Sequence, residues 1–392
     1  MLRLIGLSFL TAFCFTHVAF AQEVADAQTR DIVRRLREGD RRDRLAAAEE
    51  IKARGAKAAA AVPALTAALK DPDDELRKVA AEALGRVGPE AKSAVPALTE
   101  ALRDGRGPVR SNAAFALGQI GAGAESAVPA LTELLKDESA WARAGAAHAL
   151  GRIGGKAKAS APALIGLLRD EHEVVRRDAA EALGRFGVEA KAATPALILL
   201  LKDTSSAARK AAAESLGRIG PEAKSAVPAL IESMKDTEFV VRMNAAVALG
   251  RVGLEPGAAV PLWTETLRDA SEHVRRYGAE ALAVMGPVAK AAVPALIEAL
   301  KDRDRFVRLG AAKALGNIGG EAVAAVNPLV ALLKDEEPLV RASAATALGK
   351  LGAAARAALP TLNELLNDQA TVVRLAAAEA VNKIASHETK AR

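Results

Sequence analysis

The sequence predicts an all-α solenoid, a stack of about eleven helix pairs of 33 residues each. Three observations carry this expectation. Val-Pro-Ala-Leu begins at Val62, Val95, Val128, Val227 and Val293, and near copies begin at Ala161, Thr194, Val260, Val326 and Leu359, every start separated by a multiple of 33 residues. A fixed period of this size marks a repeat architecture. Two charged columns keep the same step. One runs Asp71, Asp104, Asp137, Asp170, Asp203, Asp236, Asp269, Asp302, Asp335 and Asp368, the other Arg77, Arg110, Arg143, Arg176, Arg209, Arg242, Arg275, Arg308, Arg341 and Arg374. Finally, the chain is Ala-rich, 26% charged and only 3% aromatic, a composition that suits many thin, closely packed helices and not one thick core.

Residues 62 to 94 show how each repeat is built. Pro63 suits the first turn of a helix, where its missing N–H costs nothing. Val62, Leu65 and Leu69 then form one apolar stripe. Lys70-Asp71-Pro72-Asp73-Asp74 breaks that stripe and offers N-caps for a second helix, whose stripe is Leu76, Ala80, Ala83, Leu84 and Val87. Gly88 ends it, followed by Pro89. No window alternates with period two, so no strand is expected. A helix pair cannot bury its stripe alone, and stacking turns the core into a ribbon along the array.

The expected organisation is a secretory leader at 1–21, a linker at 22–28, the repeat array at 29–385 and a polar tail at 386–392. Repeats start near 29, 62, 95, 128, 161, 194, 227, 260, 293, 326 and 359, with no internal domain boundary expected. The leader reading rests on Arg3, the apolar run Leu4 to Phe13, and Ala19-Phe20-Ala21 before a cleavage after Ala21. It implies export, periplasmic or secreted, with no integral membrane span in the mature chain. The single cysteine, Cys14, lies in the leader, so no disulfide or thiolate chemistry is expected afterwards. Net charge falls from +6 to +5 with the loss of Arg3, too mild an excess for a nucleic-acid footprint.

The repeats resemble short HEAT repeats of the type first named for phycobilisome lyases. The residues that carry the resemblance are Val95-Pro96-Ala97-Leu98, Leu102-Arg103-Asp104, Val109-Arg110, and Ala116-Leu117-Gly118 with Gly121. The resemblance covers roughly residues 29 to 385 and implies a right-handed α-α superhelix, with the second helix of each pair on the concave face. It also implies that the Asp and Arg columns tie the inter-helix turn to the next helix, as a structural ladder. A bilin-lyase role would imply chromophore handling in a cytoplasm, which the export signal opposes.

A residue present in every repeat serves something every repeat needs, so function belongs where repeats differ. With the core at Leu76, Ala80, Ala83, Leu84 and Val87, helical geometry points columns 78, 81, 82 and 85 away from it. Columns 81 and 85 are nearly all Ala and Gly, while 78 and 82 vary. Apolar or aromatic departures there and at the helix entries make Phe115, Trp141, His148, Met243, Val247, Phe306 and Leu309, with Lys313 and with Tyr277 along the same path, the candidate partner contacts. The sequence leaves open whether some fold back onto the adjacent repeat. Trp263 replaces the core Leu65 position and reads as packing. A second spot on the first helices is Ile198-Leu199-Leu200-Leu201, where a Glu column is interrupted.

Catalytic readings find little. His148, His172, His273 and His387 fall singly, none with metal-ligand spacing, and no phosphate loop or nucleophile elbow occurs. No cofactor or metal is expected. Arg86, Arg152, Arg185, Arg218 and Arg251 sit beside glycines at helix C-termini, where positive charge complements the dipole. The expected function is a non-catalytic scaffold that binds a protein or peptide, without nucleic acid, as a monomer. A structural spacer in an envelope assembly and a chromophore-handling accessory factor remain the alternatives.

Overall fold

The computed structural model describes residues 27–389. The predicted leader, most of the linker and the end of the tail lie outside the described residues. What is described is all helix and turn, arranged as stacked pairs. It opens with a helix at 27–38 and closes with Thr371–Thr389, which runs into the stretch read as a tail. The chain divides after Ile219 into two compact bodies. The 33-residue register passes through that point unchanged, so the division leaves no mark in the sequence pattern.

Residues 88–120 show the local logic. The first α-helix, Val95–Ala101, carries Pro96 in its first turn. It closes as Arg103 N–H and Asp104 N–H donate to the carbonyls of Glu100 and Ala101 at 3.0 and 3.2 Å, the three-residue spacing that tightens a helix end. The second helix, Gly107–Ile120, is twice as long and supplies most of the core. Between one second helix and the next first helix lies an element the sequence pattern did not announce, a seven-residue 3-10 helix such as Gly88–Ala94. Its opening glycine has positive φ, +74° with ψ −137° at Gly88, a region closed to residues with a Cβ. Every positive-φ residue described is a glycine of this one column.

The fourth residue of the 3-10 turn is a fully buried Ala with a distinctive backbone, φ −102° and ψ 23° at Ala58 and −103° and 24° at Ala322. In the seventh repeat the position is Pro256. A pyrrolidine ring fixes φ near −65°, and the residue before it is driven extended. Accordingly Glu255 has ψ 137°, no 3-10 turn forms, and the first helix lengthens to Pro256–Thr266.

Second helices pack on one another through small residues. A Cβ on Gly118 would lie 2.9 Å from Ala149 Cα, and one on Gly151 would lie 2.7 Å from Ala182 Cα. The column Ala81, Ala114, Ala147 and Ala180 is fully buried in the same seam. The short first helices touch mainly the second helix of their own repeat and the 3-10 turns. Within each body the second helices therefore form the more tightly spaced layer. Leu65, Leu98, Leu131 and Leu164 face Leu84, Leu117 and Leu150 between the layers, all at 0% exposure.

The Asp and Arg columns bind repeat to repeat. Arg143 donates from Nη1 to the Asp137 carbonyl of its own repeat at 2.8 Å. From Nε and Nη2 it grips both carboxylate oxygens of Asp170 in the next repeat, at 2.8 and 2.9 Å. Asp170 Oδ1 also accepts the His172 N–H at 2.9 Å and so shapes the entry turn of its own second helix. The same fork joins Arg77 to Asp104, Arg110 to Asp137 and Arg176 to Asp203 in the first body. In the second it joins Arg242 to Asp269, Arg275 to Asp302, Arg308 to Asp335 and Arg341 to Asp368. The ladder thus reaches across repeats as well as within the turn.

Residues Glu272–Ala299 and Arg305–Leu332 are long and apolar enough by composition to cross a membrane. In the fold each passes through a positive-φ glycine, Gly286 or Gly319, and a 3-10 turn on its way from a second helix to the next first helix.

Candidate binding face on the second helices

In the first body a cleft of about 660 Å³ opens on the second helices of four successive repeats, from Gly107–Ile120 to Ser206–Ile219. It brings together Phe115, Trp141 and His148, three of the residues singled out from sequence. Trp141 stands 68% exposed at the entry of its helix, far more than packing requires. The Phe115 and His148 rings stack with centroids 5.5 Å apart and planes 20° from parallel. His148 Nε2 is buried without a hydrogen-bond partner. Burial, together with the positive charges of Arg185, Arg152 and Arg177, pushes the His148 imidazole below its ordinary pKa and keeps it neutral.

Polar groups at this cleft come from a column of which the sequence reading singled out only Tyr277. Asn112, Gly145 and Asp178 all occupy the position held by Val79 in the second repeat. Asp178 is 8% exposed, and its carboxylate accepts from Arg177 Nε at 2.8 Å. Burial raises its pKa, with the neighbouring Arg177 only partly offsetting the effect. Lys210 and Glu181 complete the charged lining. The available signal was variability: the column reads Val, Asn, Gly, Asp, Ala, Asn, Tyr, Gly, Ser, Ala.

The expectation that columns 81 and 85 face outward is corrected. Both lie in the seam between second helices, because Ala and Gly there let neighbouring backbones touch. Column 78 is mixed: Ala144 and Ala342 are buried, whereas Arg177 and Met243 are half-buried.

In the second body the remaining candidates are more engaged. Met243, Val247 and Leu309 are half-buried, and Lys313 is exposed. Phe306 lies under the Arg276 guanidinium at 3.7 Å and beside that of Arg305 at 4.8 Å. Tyr277 is half-buried, packs edge-on against Trp263 with centroids 5.7 Å apart, and sets its hydroxyl against Gly250. Trp263 itself is a core residue at 3% exposure. On the first helices, Leu199 is 61% exposed while Leu200 and Leu201 are buried, so that spot shrinks to one prominent side chain. Among the described residues no three His, Cys, Asp or Glu side chains are grouped to hold a metal ion.

A family model for HEAT repeats matches residues 29–117, 95–184, 194–263, 260–326 and 323–382. A second, for the PBS lyase HEAT-like repeat, matches residues 175–203. No curated protein matches the chain. Among solved structures, an engineered protein is 26% identical with a TM-score of 0.58, covering 83% of this chain and 98% of its own. An importin beta structure is 18% identical with a TM-score of 0.60, and yeast importin-beta (Kap95p) is 14% identical with 0.56; each covers 92% of this chain. The chain spans only 55% and 56% of the lengths of those two importins, and the likeness to them is one of fold. With the model matches running almost end to end over stacked helix pairs, the chain belongs to the HEAT-repeat family.

Proposed function

We propose that this protein is a non-catalytic interaction scaffold that binds a protein or peptide partner on its second-helix face, principally in the cleft of the first body. The observation that carries this reading is the placement of Trp141, at 68% exposure, beside the Phe115–His148 stack in a chain otherwise nearly free of aromatics. An exposed aromatic next to a shaped cleft with a few charged groups is the usual anatomy of an interaction hot spot. Solved structures of similar fold, which include Kap95p with RanGDP and Kap121p bound to Pho4p, agree with a fold suited to holding other proteins. We place the mature protein outside the cytoplasm, as a monomer released by cleavage after Ala21; the N-terminal mass of the protein from its native compartment tests that cleavage.

The binding experiment takes the partner identified by cross-linking and compares its capture by wild type, Trp141→Ala with Phe115→Ala, and Leu199→Ala. Capture falls at least tenfold in the double variant and is unchanged by Leu199→Ala. Equal capture by all three proteins removes the cleft from consideration.

A further inference from the structure

The second body holds a place where four regular features fail together. Pro256 abolishes the 3-10 turn. On either side of this place a lysine pairs with a glutamate of the following repeat, as Lys224 does with Glu255 at 3.1 Å and Lys290 with Glu321 at 3.7 Å. Between those two rungs the corresponding residues are Gly257 and Val288, so the rung is missing. Near the end of the second helix, other repeats carry a polar side chain that caps a carbonyl of the preceding repeat: Arg152 reaches Gly118 O at 3.3 Å and Asn317 reaches Ala283 O at 2.8 Å. Here that residue is Val284, 86% exposed. Finally, Tyr277 occupies the seam beside Gly250, so closely that a Cβ on Gly250 would collide with its hydroxyl. The helices Phe239–Val252 and Glu272–Met285 consequently approach less closely than the second helices that follow them.

The result is a pocket of about 460 Å³ that passes between these two helices toward the core. Its walls include Leu254, Pro256, Val284 and Val288, and its floor is Trp263. The size and apolar lining are those of a small-molecule site. Its side-chain polar groups are the Tyr277 hydroxyl and the Trp263 indole N–H. Burial raises that phenol's pKa, and the Arg251 charge acting on it opposes the rise more strongly than Glu280 adds to it. Arg251 directly follows Gly250, a lining residue that Tyr277 touches; it is exposed, and among the described residues its side chain has no hydrogen bond or ion pair.

We propose that this pocket binds an alkyl-chain carboxylate, the chain lying between Val284, Val288 and Trp263 and the carboxylate meeting the Tyr277 hydroxyl and Arg251. An alkyl chain matches side-chain walls without a charge, and an anionic head matches the Arg251 guanidinium, carried one residue beyond the lining Gly250. The site is independent of the partner cleft in the first body.

The test titrates the full chain with dodecanoate below its micellar concentration, following stoichiometry by calorimetry and Trp263 emission in a Trp141→Phe background. Dodecanol and dodecyltrimethylammonium serve as neutral and cationic comparisons. One saturable site is expected, with dodecanoate bound at least tenfold more tightly than the cation. Tyr277→Phe weakens dodecanoate about fivefold and Arg251→Ala about threefold, the latter erasing most of its advantage over dodecanol. The variant Gly257→Lys with Val288→Glu restores the rung that neighbouring repeats carry, so it folds normally, and it weakens all alkyl ligands at least tenfold. Absence of a saturable one-to-one site overturns the proposal, as does equal binding of the carboxylate and the ammonium. Undiminished binding in the restored-rung variant, with its unfolding midpoint unchanged, also overturns it.

Discussion

Asp170→Asn is the sharpest perturbation of the repeat-to-repeat ladder. The wild-type carboxylate takes two hydrogen bonds from Arg143, at 2.8 and 2.9 Å, and one from the His172 N–H at 2.9 Å. Side-chain exposure is 11% for Arg143 and 8% for Asp170, so solvent screens the pair little. Burial alone would raise the Asp170 pKa, yet the Arg143 hydrogen bonds, the His172 N–H and the nearby positive charges together hold it below the ordinary value. The asparagine keeps an acceptor for His172 N–H and for one Arg143 donor, but it leaves the guanidinium without its counter-charge. Removing one partner of a largely buried pair costs about 3 kcal/mol. Because a repeat array need not unfold in one step, the readout is hydrogen exchange resolved by repeat, alongside urea unfolding followed by circular dichroism. Protection should fall most in residues 140–186, on both sides of the broken rung. A double-mutant cycle with Arg143→Met should recover most of the loss. A midpoint indistinguishable from wild type, with unchanged exchange at those residues, would refute the claim that the ladder fixes the stacking.

Four further outcomes follow. The carboxyls of Asp104, Asp203, Asp269 and Asp302 are also held low by their arginines against the opposing effect of burial. Their stabilisation is complete above the ordinary pKa of 3.8 and is lost as pH falls through the lower folded values, so denaturant titrations should show a steep acid loss that Asp→Asn variants blunt. His148 is held neutral when folded but protonates when unfolded, so stability should decline as pH drops below its ordinary 6.5, and His148→Phe should flatten that decline in unfolding curves at pH 7.5 and 5. Gly151→Ala should cost about 1–3 kcal/mol by thermal unfolding, because its Cβ meets Ala182 Cα at 2.7 Å, whereas Gly166→Ala, with open space around it inside a first helix, should stabilise by about 0.5–1 kcal/mol. Pro256→Ala should let the missing 3-10 turn form, seen as new amide protection at residues 254–258 and weaker dodecanoate binding.

The period, the helix pairs and the alternation of Asp and Arg were legible because each repeat obeys the same local rules and ten copies average out local noise. Pro63 and its counterparts opened helices, and Gly88 and its counterparts closed them, as their backbone preferences require. The 3-10 turns were not legible. Their residues, such as Gly-Pro-Glu-Ala-Lys-Ser-Ala, carry no helical stripe, and tertiary burial of the fourth Ala sets their backbone. Phe115 and His148 could be found as departures from a column that is otherwise mostly polar, and Trp141 as the bulkiest side chain of a mixed helix-entry column. Asn112 and Asp178 were hidden because helical geometry assigns their column to the flank of the core, and only the close seam between second helices turns it toward the cleft. Tyr277 looked like a partner contact and proves to be a wedge, a role that depends on Gly250 in the repeat before it.

The central claim is that partners dock on the second-helix face of the first body. Its most direct test places a photo-cross-linking amino acid at position 141, and separately at position 199 on a first helix, and irradiates the protein in its native compartment. The account predicts a discrete partner adduct from position 141 and none from position 199. Adducts that form at 199 and are absent at 141 would contradict it.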